Sequence, residues 1–198
     1  MIKLFIFDLS DVCFTSEEPP FLRDFAKRNN LNFDEFDNFY QQLLVKAEVD
    51  EISSMDVWQN VLDKYSLNEA YGDIMAEMMS TKEKTSTLEF VKSLRGKYKT
   101  AYLTNYSKGY WEYIQNKFDL SEYFDFGLAS YQIKARKPAK EGFLEIIKHF
   151  DVKPEEVVYT DDSEGNLVNA KEMGINVIHF KTLEQFKEEL KEKMLVEK

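Results

Sequence analysis

Short apolar runs that stop abruptly on a polar residue are the feature that most constrains this chain. Lys3 to Phe7 reads KLFIF and ends at Asp8; a nearly continuous apolar run of this length suits a strand buried on both faces of a parallel sheet. Thr100 to Leu103 (TAYL) ends in Thr104 and Asn105, and Glu156 to Tyr159 (EVVY) ends in Thr160 and Asp161. Asn176 to Phe180 (NVIHF) follows Met173 and Gly174, where glycine would close a helix. Phe126 to Ala129 is a fifth candidate strand. Between these runs the apolar residues recur with a spacing near 3.6: Leu88, Val91 and Leu94; Trp111, Ile114 and Phe118; Phe143, Ile146, Ile147 and Phe150. Strands alternating with helices imply parallel pairing through right-handed crossovers. The predicted fold class is α/β, a doubly wound parallel sheet.

From about Phe21 to Ser80 the alternation lapses and only helical stripes remain, among them Phe25, Leu43, Leu44, Val57, Trp58, Val61, Leu62, Ile74 and Met75 to Met79. A helical insertion after the first strand is the economical reading. It divides the chain into a core of residues 1–15 and 81–198 and an insertion of residues 16–80. The methionine stripe reads as ordinary core packing. At the C-terminus Leu183, Phe186, Leu190 and Met194 mark a surface helix among Glu and Lys.

Composition narrows the functional classes. A chain of 198 residues has room for one domain or for a core with a modest insertion, and 43% hydrophobic residues supply a substantial interior. Thirty-six acidic against 26 basic residues give a net charge of −10, which argues against a nucleic-acid surface built on phosphate contacts. One cysteine, Cys13, permits neither an internal disulfide nor a cysteine zinc cluster and fits a reducing compartment. The first residues are too short an apolar run for a signal peptide, and no stretch approaches the ~20 apolar residues of a membrane span. The expectation is a cytoplasmic protein without membrane or nucleic-acid partners, its oligomeric state open.

In open α/β sheets a ligand sits outside the carboxyl ends of the strands, and that edge collects Asp8, Ser10, Asp11, Thr104, Asn105, Asp161 and Asp162. Separated carboxylates at strand ends suit a hard divalent cation such as Mg²⁺. Lys137, in the run Arg136-Lys137-Pro138, is the best candidate to meet an anion.

Taken in order, these segments resemble the four motifs of the haloacid dehalogenase (HAD) superfamily: FDLSDV at Phe7 to Val12, LTN at Leu103 to Asn105, RKP at Arg136 to Pro138, and TDDSEGN at Thr160 to Asn166. The resemblance implies a Rossmann-like core with a helical C1-type cap inserted after the first strand. It further implies a phosphatase in which Asp8 is the nucleophile and forms an aspartyl-phosphate intermediate. Asp8, the Ser10 backbone carbonyl and Asp162 would hold Mg²⁺, with Asp161 in a supporting position. Thr104, Lys137 and the amides near Asn105 would bind the phosphate of a small phosphorylated substrate. Asn166 would orient the motif-four loop.

One position departs from the pattern. Phosphatases of the superfamily usually carry a second Asp two residues after the nucleophile as general acid, and here Ser10 stands there. Two other readings therefore accompany the first: metal-independent hydrolysis of a 2-haloacid through an ester on Asp8, and a catalytically weakened binding or regulatory protein. Lys134 also stands where relatives often have Gly. Asp11 reads as a loop cap, Lys134, Arg136 and Lys140 as solvated surface groups, His149 and His179 as structural residues, and Cys13, Trp58 and Trp111 as core.

Overall fold

The computed structural model describes residues 1–78 and 82–193. Met79, Ser80 and Met194 of the expected apolar stripes, and the junction at residue 81, lie outside the described residues. Five strands form one parallel sheet: β1 (Leu4–Phe7), β2 (Lys99–Thr104), β3 (Phe126–Ala129), β4 (Val157–Asp161) and β5 (Asn176–His179), in the spatial order β3-β2-β1-β4-β5. The chain therefore winds outward from β1 in one direction and then in the other. β1 lies at the centre, and the carboxyl ends of β1, β2 and β4 share one edge. The register fixes this alignment, since Phe7 is opposite both Tyr102 and Thr160.

The ten α-helices among the described residues are α1 (Glu18–Arg28), α2 (Phe33–Glu48), α3 (Ser54–Tyr65), α4 (Tyr71–Met78), α5 (Thr85–Leu94), α6 (Lys108–Lys117), α7 (Ser130–Ile133), α8 (Glu141–Phe150), α9 (Glu164–Glu172) and α10 (Leu183–Glu192). β1 is buried at every position because its alternate side chains enter two different cores. Phe5 and Phe7 pack with Val91 of α5, Trp111 of α6 and Phe186 of α10. Leu4 and Ile6 pack on the opposite face with Phe143 and Ile146 of α8 and Ala170 of α9. Burying both faces is what a nearly continuous apolar strand requires, and it confirms the doubly wound class. Cys13 is fully buried with the first of these cores. Gly174 ends the α9 turn at φ +89, a conformation that a residue with a Cβ rarely takes.

The segment from α1 to α4 builds a third core of its own. Phe25 stacks on Phe36 at 5.4 Å, and Trp58 meets Phe25 and Tyr40 at 5.2 Å each. Local signals start these helices. Asn32 caps α2, Ser53 and Asp56 form a capping box on α3, and Pro19 falls in the first turn of α1. Two backbone crossings tie the segment's start to its return, with Phe14 bridged to Glu83 and the Thr15 amide donating to the Lys82 carbonyl at 2.8 Å. No described helix is long and apolar enough to cross a membrane.

The short helix α7 and the loop after it were not expected from periodicity. Lys134 closes α7 at φ +52, the left-handed conformation that a glycine would take without strain. The expectation that Arg136 is simply a solvated surface group is corrected. Its Nε lies 2.7 Å from a carboxylate oxygen of the buried Glu48 on α2. The pairing follows from burial, because a carboxylate withdrawn from water requires a compensating charge.

Candidate active site

Asp8 immediately follows β1, and its amide donates to the Thr160 carbonyl at 3.0 Å, so the last turn of sheet hydrogen bonding fixes its backbone. The residue is 4% exposed, and its carboxylate faces the Lys137 ammonium, with 2.7 Å between Oδ1 and Nζ. The same Nζ donates to Asp161 Oδ2 at 2.6 Å. Lys137 is 3% exposed and Asp161 fully buried, so one ammonium bridges two carboxylates away from bulk water.

Asp161, the last residue of β4, is further held by the Tyr159 hydroxyl, by the Ser163 amide at 2.9 Å and by Asn166 Nδ2 at 3.0 Å. These donors, with Lys137 above all, overcome the cost of burial and keep its carboxyl below the usual carboxylate range. Asp8 lacks such support. Burial pushes its pKa up to about 7 although Lys137 pulls the other way. Burial alone would lower the Lys137 pKa, but Asp8 and Asp161 together hold it above its ordinary value.

Asp162 is exposed on the same loop, and carboxylate oxygens of Asp8, Asp161 and Asp162 lie within 4.8 Å of one another. Burial and the neighbouring Asp161 raise the Asp162 pKa. Three carboxylates against one ammonium leave an excess of negative charge on a set of hard oxygen donors, and this fits a divalent cation. Asp161 is already engaged by four protein donors, so Asp8 and Asp162 have the freer oxygens. His179 supports the loop: its Nε2 is 2.8 Å from the Asp162 carbonyl, and its Nδ1 is 3.1 Å from Glu164.

The remaining expected residues fall on the same edge with different engagements. Thr104 ends β2 with its hydroxyl buried and, among the described residues, without a hydrogen-bond partner, as a group awaiting a ligand oxygen would be. The Asn105 side chain clamps the Lys137 backbone, accepting from its amide at 2.8 Å and donating to its carbonyl at 3.3 Å. It thereby positions the lysine, and only its main chain is left to face a ligand. Ser10 Oγ shares a 2.8 Å hydrogen bond with the Tyr106 hydroxyl. Asp11 turns away at φ +53, where its carboxylate accepts from the Ser16 amide at 3.2 Å and Lys84 bonds its carbonyl.

A cavity of ≈ 190 Å³ opens beside Ser10 and Asn105 and runs between the sheet edge and the helices α1 to α4. Two polar contacts close it at the sides: the Glu48–Arg136 pair, and Ser54 to Ser107 at 2.9 Å. Sequence reasoning missed Tyr159, Tyr106, Glu18 and Glu48 as parts of this region. Only the Tyr159-to-Asp161 spacing, which returns a side chain to the same face of a strand, carried any local signal.

The family model described as a haloacid dehalogenase-like hydrolase matches residues 2–174. A phosphorylated carbohydrates phosphatase of Thermotoga maritima is 33% identical over 109 residues, 55% of this chain and 48% of the relative. Flavin mononucleotide hydrolase 1 of Arabidopsis thaliana is 31% identical over 87 residues, 44% of this chain and 35% of the relative. The chain thus spans half or less of the length of these curated relatives. Among solved structures, a HAD family enzyme of Bacteroides thetaiotaomicron in complex with magnesium and inorganic phosphate superposes with a TM-score of 0.78 at 24% identity, over 91% of this chain and 95% of that one. An L-2-haloacid dehalogenase superposes with a TM-score of 0.64 at 14% identity, over 89% and 83%. Both show the fold alone. With the match extending over most of its length and the motif residues gathered at one sheet edge, the chain belongs to the haloacid dehalogenase-like hydrolases.

Proposed function

We propose that this chain is a Mg²⁺-dependent phosphatase of a small phosphorylated metabolite, working in the cytoplasm through an aspartyl-phosphate intermediate on Asp8. The observation that carries this reading is the bridge of Lys137 between Asp8 and Asp161, with the Asp162 carboxylate beside it. Asp8, Asp162 and the Ser10 carbonyl would hold the metal. When bound, Mg²⁺ would supply charge that offsets repulsion between the Asp8 carboxylate and the phosphoryl oxygens.

The chain's own residues account for the rest. An Asp8 oxygen attacks phosphorus, the bond from phosphorus to the leaving oxygen breaks, and water then hydrolyses the aspartyl phosphate to return the carboxylate. Lys137 faces the developing negative charge from a buried position, and the Thr104 hydroxyl and the Asn105 main chain donate to phosphoryl oxygens. Asp161 fixes Lys137 and is itself fixed by Tyr159, Ser163 and Asn166. Residues 16–80 act as a C1-type cap over the core of residues 1–15 and 81–198, so that the cavity between them receives the leaving group. The phosphorylated carbohydrates phosphatase and flavin mononucleotide hydrolase among the relatives support a phosphorylated metabolite as substrate.

The test is phosphate release from a panel of phosphomonoesters with Mg²⁺ and with excess chelator. The expected result is release that falls on the order of 10²-fold or more in chelator. Undiminished release in chelator overturns the metal requirement. Halide release from 2-haloacids that persists in chelator, without phosphatase activity, supports the dehalogenase reading instead.

Ser10 makes a second expectation. General acid assistance typically contributes about 10²–10⁴-fold, and a serine hydroxyl is too weak an acid to replace a carboxyl. Ser10→Asp should therefore raise turnover of alkyl phosphates by about tenfold or more, and of aryl phosphates far less, because phenolate leaves with little protonation. Asp11→Asn should leave both rates near the starting value, since Asp11 is turned into its own loop. Loss of alkyl phosphate turnover in Asp11→Asn, with aryl turnover spared, would assign the acid to Asp11.

A further inference from the structure

The cavity beside the site has an unusual charge balance for a phosphatase. Among the described residues no Lys or Arg lines it, whereas two carboxylates do, Glu18 on α1 and Glu48 on α2. Glu48 has its countercharge in Arg136 at 2.7 Å. Among the described residues, the charges that bear on Glu18 are negative ones, Glu48 and Asp37. Burial first and these neighbours second push its pKa up to about 7, while a hydrogen bond with Tyr40 pulls the other way. Four aromatic side chains share the wall with aliphatic residues such as Leu44, Val57 and Met75: Tyr40 and Trp58 with ring centroids 5.2 Å apart, and Tyr106 and Tyr110 at 4.5 Å. Rings of this kind attract a cation through their electron-rich faces.

We infer that the leaving group accommodated here is a small alcohol carrying a protonated amine, with Glu18 as its counter-ion and the four aromatic side chains in the wall around it. A cavity of ≈ 190 Å³ has room for an alcohol of a few heavy atoms. An alcohol with a second phosphate or a carboxylate meets Glu18 with like charge and has no basic residue in the described wall to bind it. This inference rests on the phosphatase reading for its chemistry, in which the phosphorus–oxygen bond breaks and the amino alcohol departs with one added proton.

The experiment compares three phosphomonoesters on one two-carbon skeleton: 2-aminoethyl, 2-hydroxyethyl and carboxymethyl phosphate, with p-nitrophenyl phosphate as a control for the reaction itself. The expected order of kcat/KM is ammonium over hydroxyl over carboxylate, with about tenfold or more between the first two, a step of about 1.4 kcal/mol. In Glu18→Gln the ratio of ammonium to hydroxyl should collapse toward one, and Glu18→Asp should restore part of it. Hydrolysis of p-nitrophenyl phosphate without an ammonium preference, or a preference unchanged in Glu18→Gln, overturns the inference and leaves the phosphatase reading standing. If none of the four esters is hydrolysed, the phosphatase reading fails and calorimetric binding decides the cavity's preference. Tighter binding of 2-aminoethyl than of 2-hydroxyethyl phosphate, lost in Glu18→Gln, supports the inference; equal binding overturns it.

Discussion

Replacing Asp8 by Asn is expected to reduce phosphate release by at least about four orders of magnitude, because an amide cannot form the acyl phosphate that divides the reaction into two steps. The same variant should fold as well as the parent or better. Asp8 is 4% exposed, and burial holds its pKa at about 7 even with Lys137 adjacent, so its charged form is disfavoured where it stands. Asparagine keeps the shape and removes that cost, while Lys137 retains Asp161 as partner at 2.6 Å. Thermal unfolding in chelator and a steady-state phosphate assay check the two halves together. A variant that melts within a few degrees of the parent yet releases no phosphate marks a group kept for chemistry at the expense of stability. Loss of the fold, or retained turnover, contradicts the assignment of Asp8 as nucleophile.

The sheet and the polar edge were legible in the sequence because both depend on local signals. A parallel strand covered on two faces is apolar along its length, so KLFIF, TAYL and EVVY announced themselves, and each announced its own end. Once three such ends are aligned in one sheet, Asp8, Thr104 and Asp161 come together without further information. Lys137 was a weaker case, since a Lys-Pro pair is common; its place between two carboxylates depends on α7 and the following loop, which no periodicity marked. The engagements that define the site's neighbourhood were not readable at all. Ser10 meets Tyr106 from 96 positions away, and Glu48 meets Arg136 across the boundary between the helical segment and the sheet. Such pairs reflect tertiary burial, which gives a charge or a hydroxyl a partner that its sequence neighbours do not suggest. The surface reading of Arg136 failed for this reason: a charge run resembles a solvated face until a buried carboxylate is set against it.

The second large effect is expected at Lys137, where Lys137→Met should lower phosphate release by about 10³-fold and also destabilise the fold. The methionine fills similar space but leaves Asp8 and Asp161 facing each other with no ammonium between them. Breaking a buried ion pair by removing one partner costs about 3–5 kcal/mol, because the other charge stays buried and unpaired. Urea unfolding should show that loss as a lower midpoint with an unchanged slope. The cause is separable from simple loss of packing. In the double variant Asp8→Asn/Lys137→Met the repulsion is gone, and Asp161 still has Tyr159, Ser163 and Asn166 as donors. Much of the lost stability should therefore return, although activity should not. Non-additivity of this kind measures the coupling between the two side chains directly. If the stability losses of the two single changes simply add, Lys137 contributes through packing alone, and the electrostatic bridge proposed to orient and charge this site does not operate.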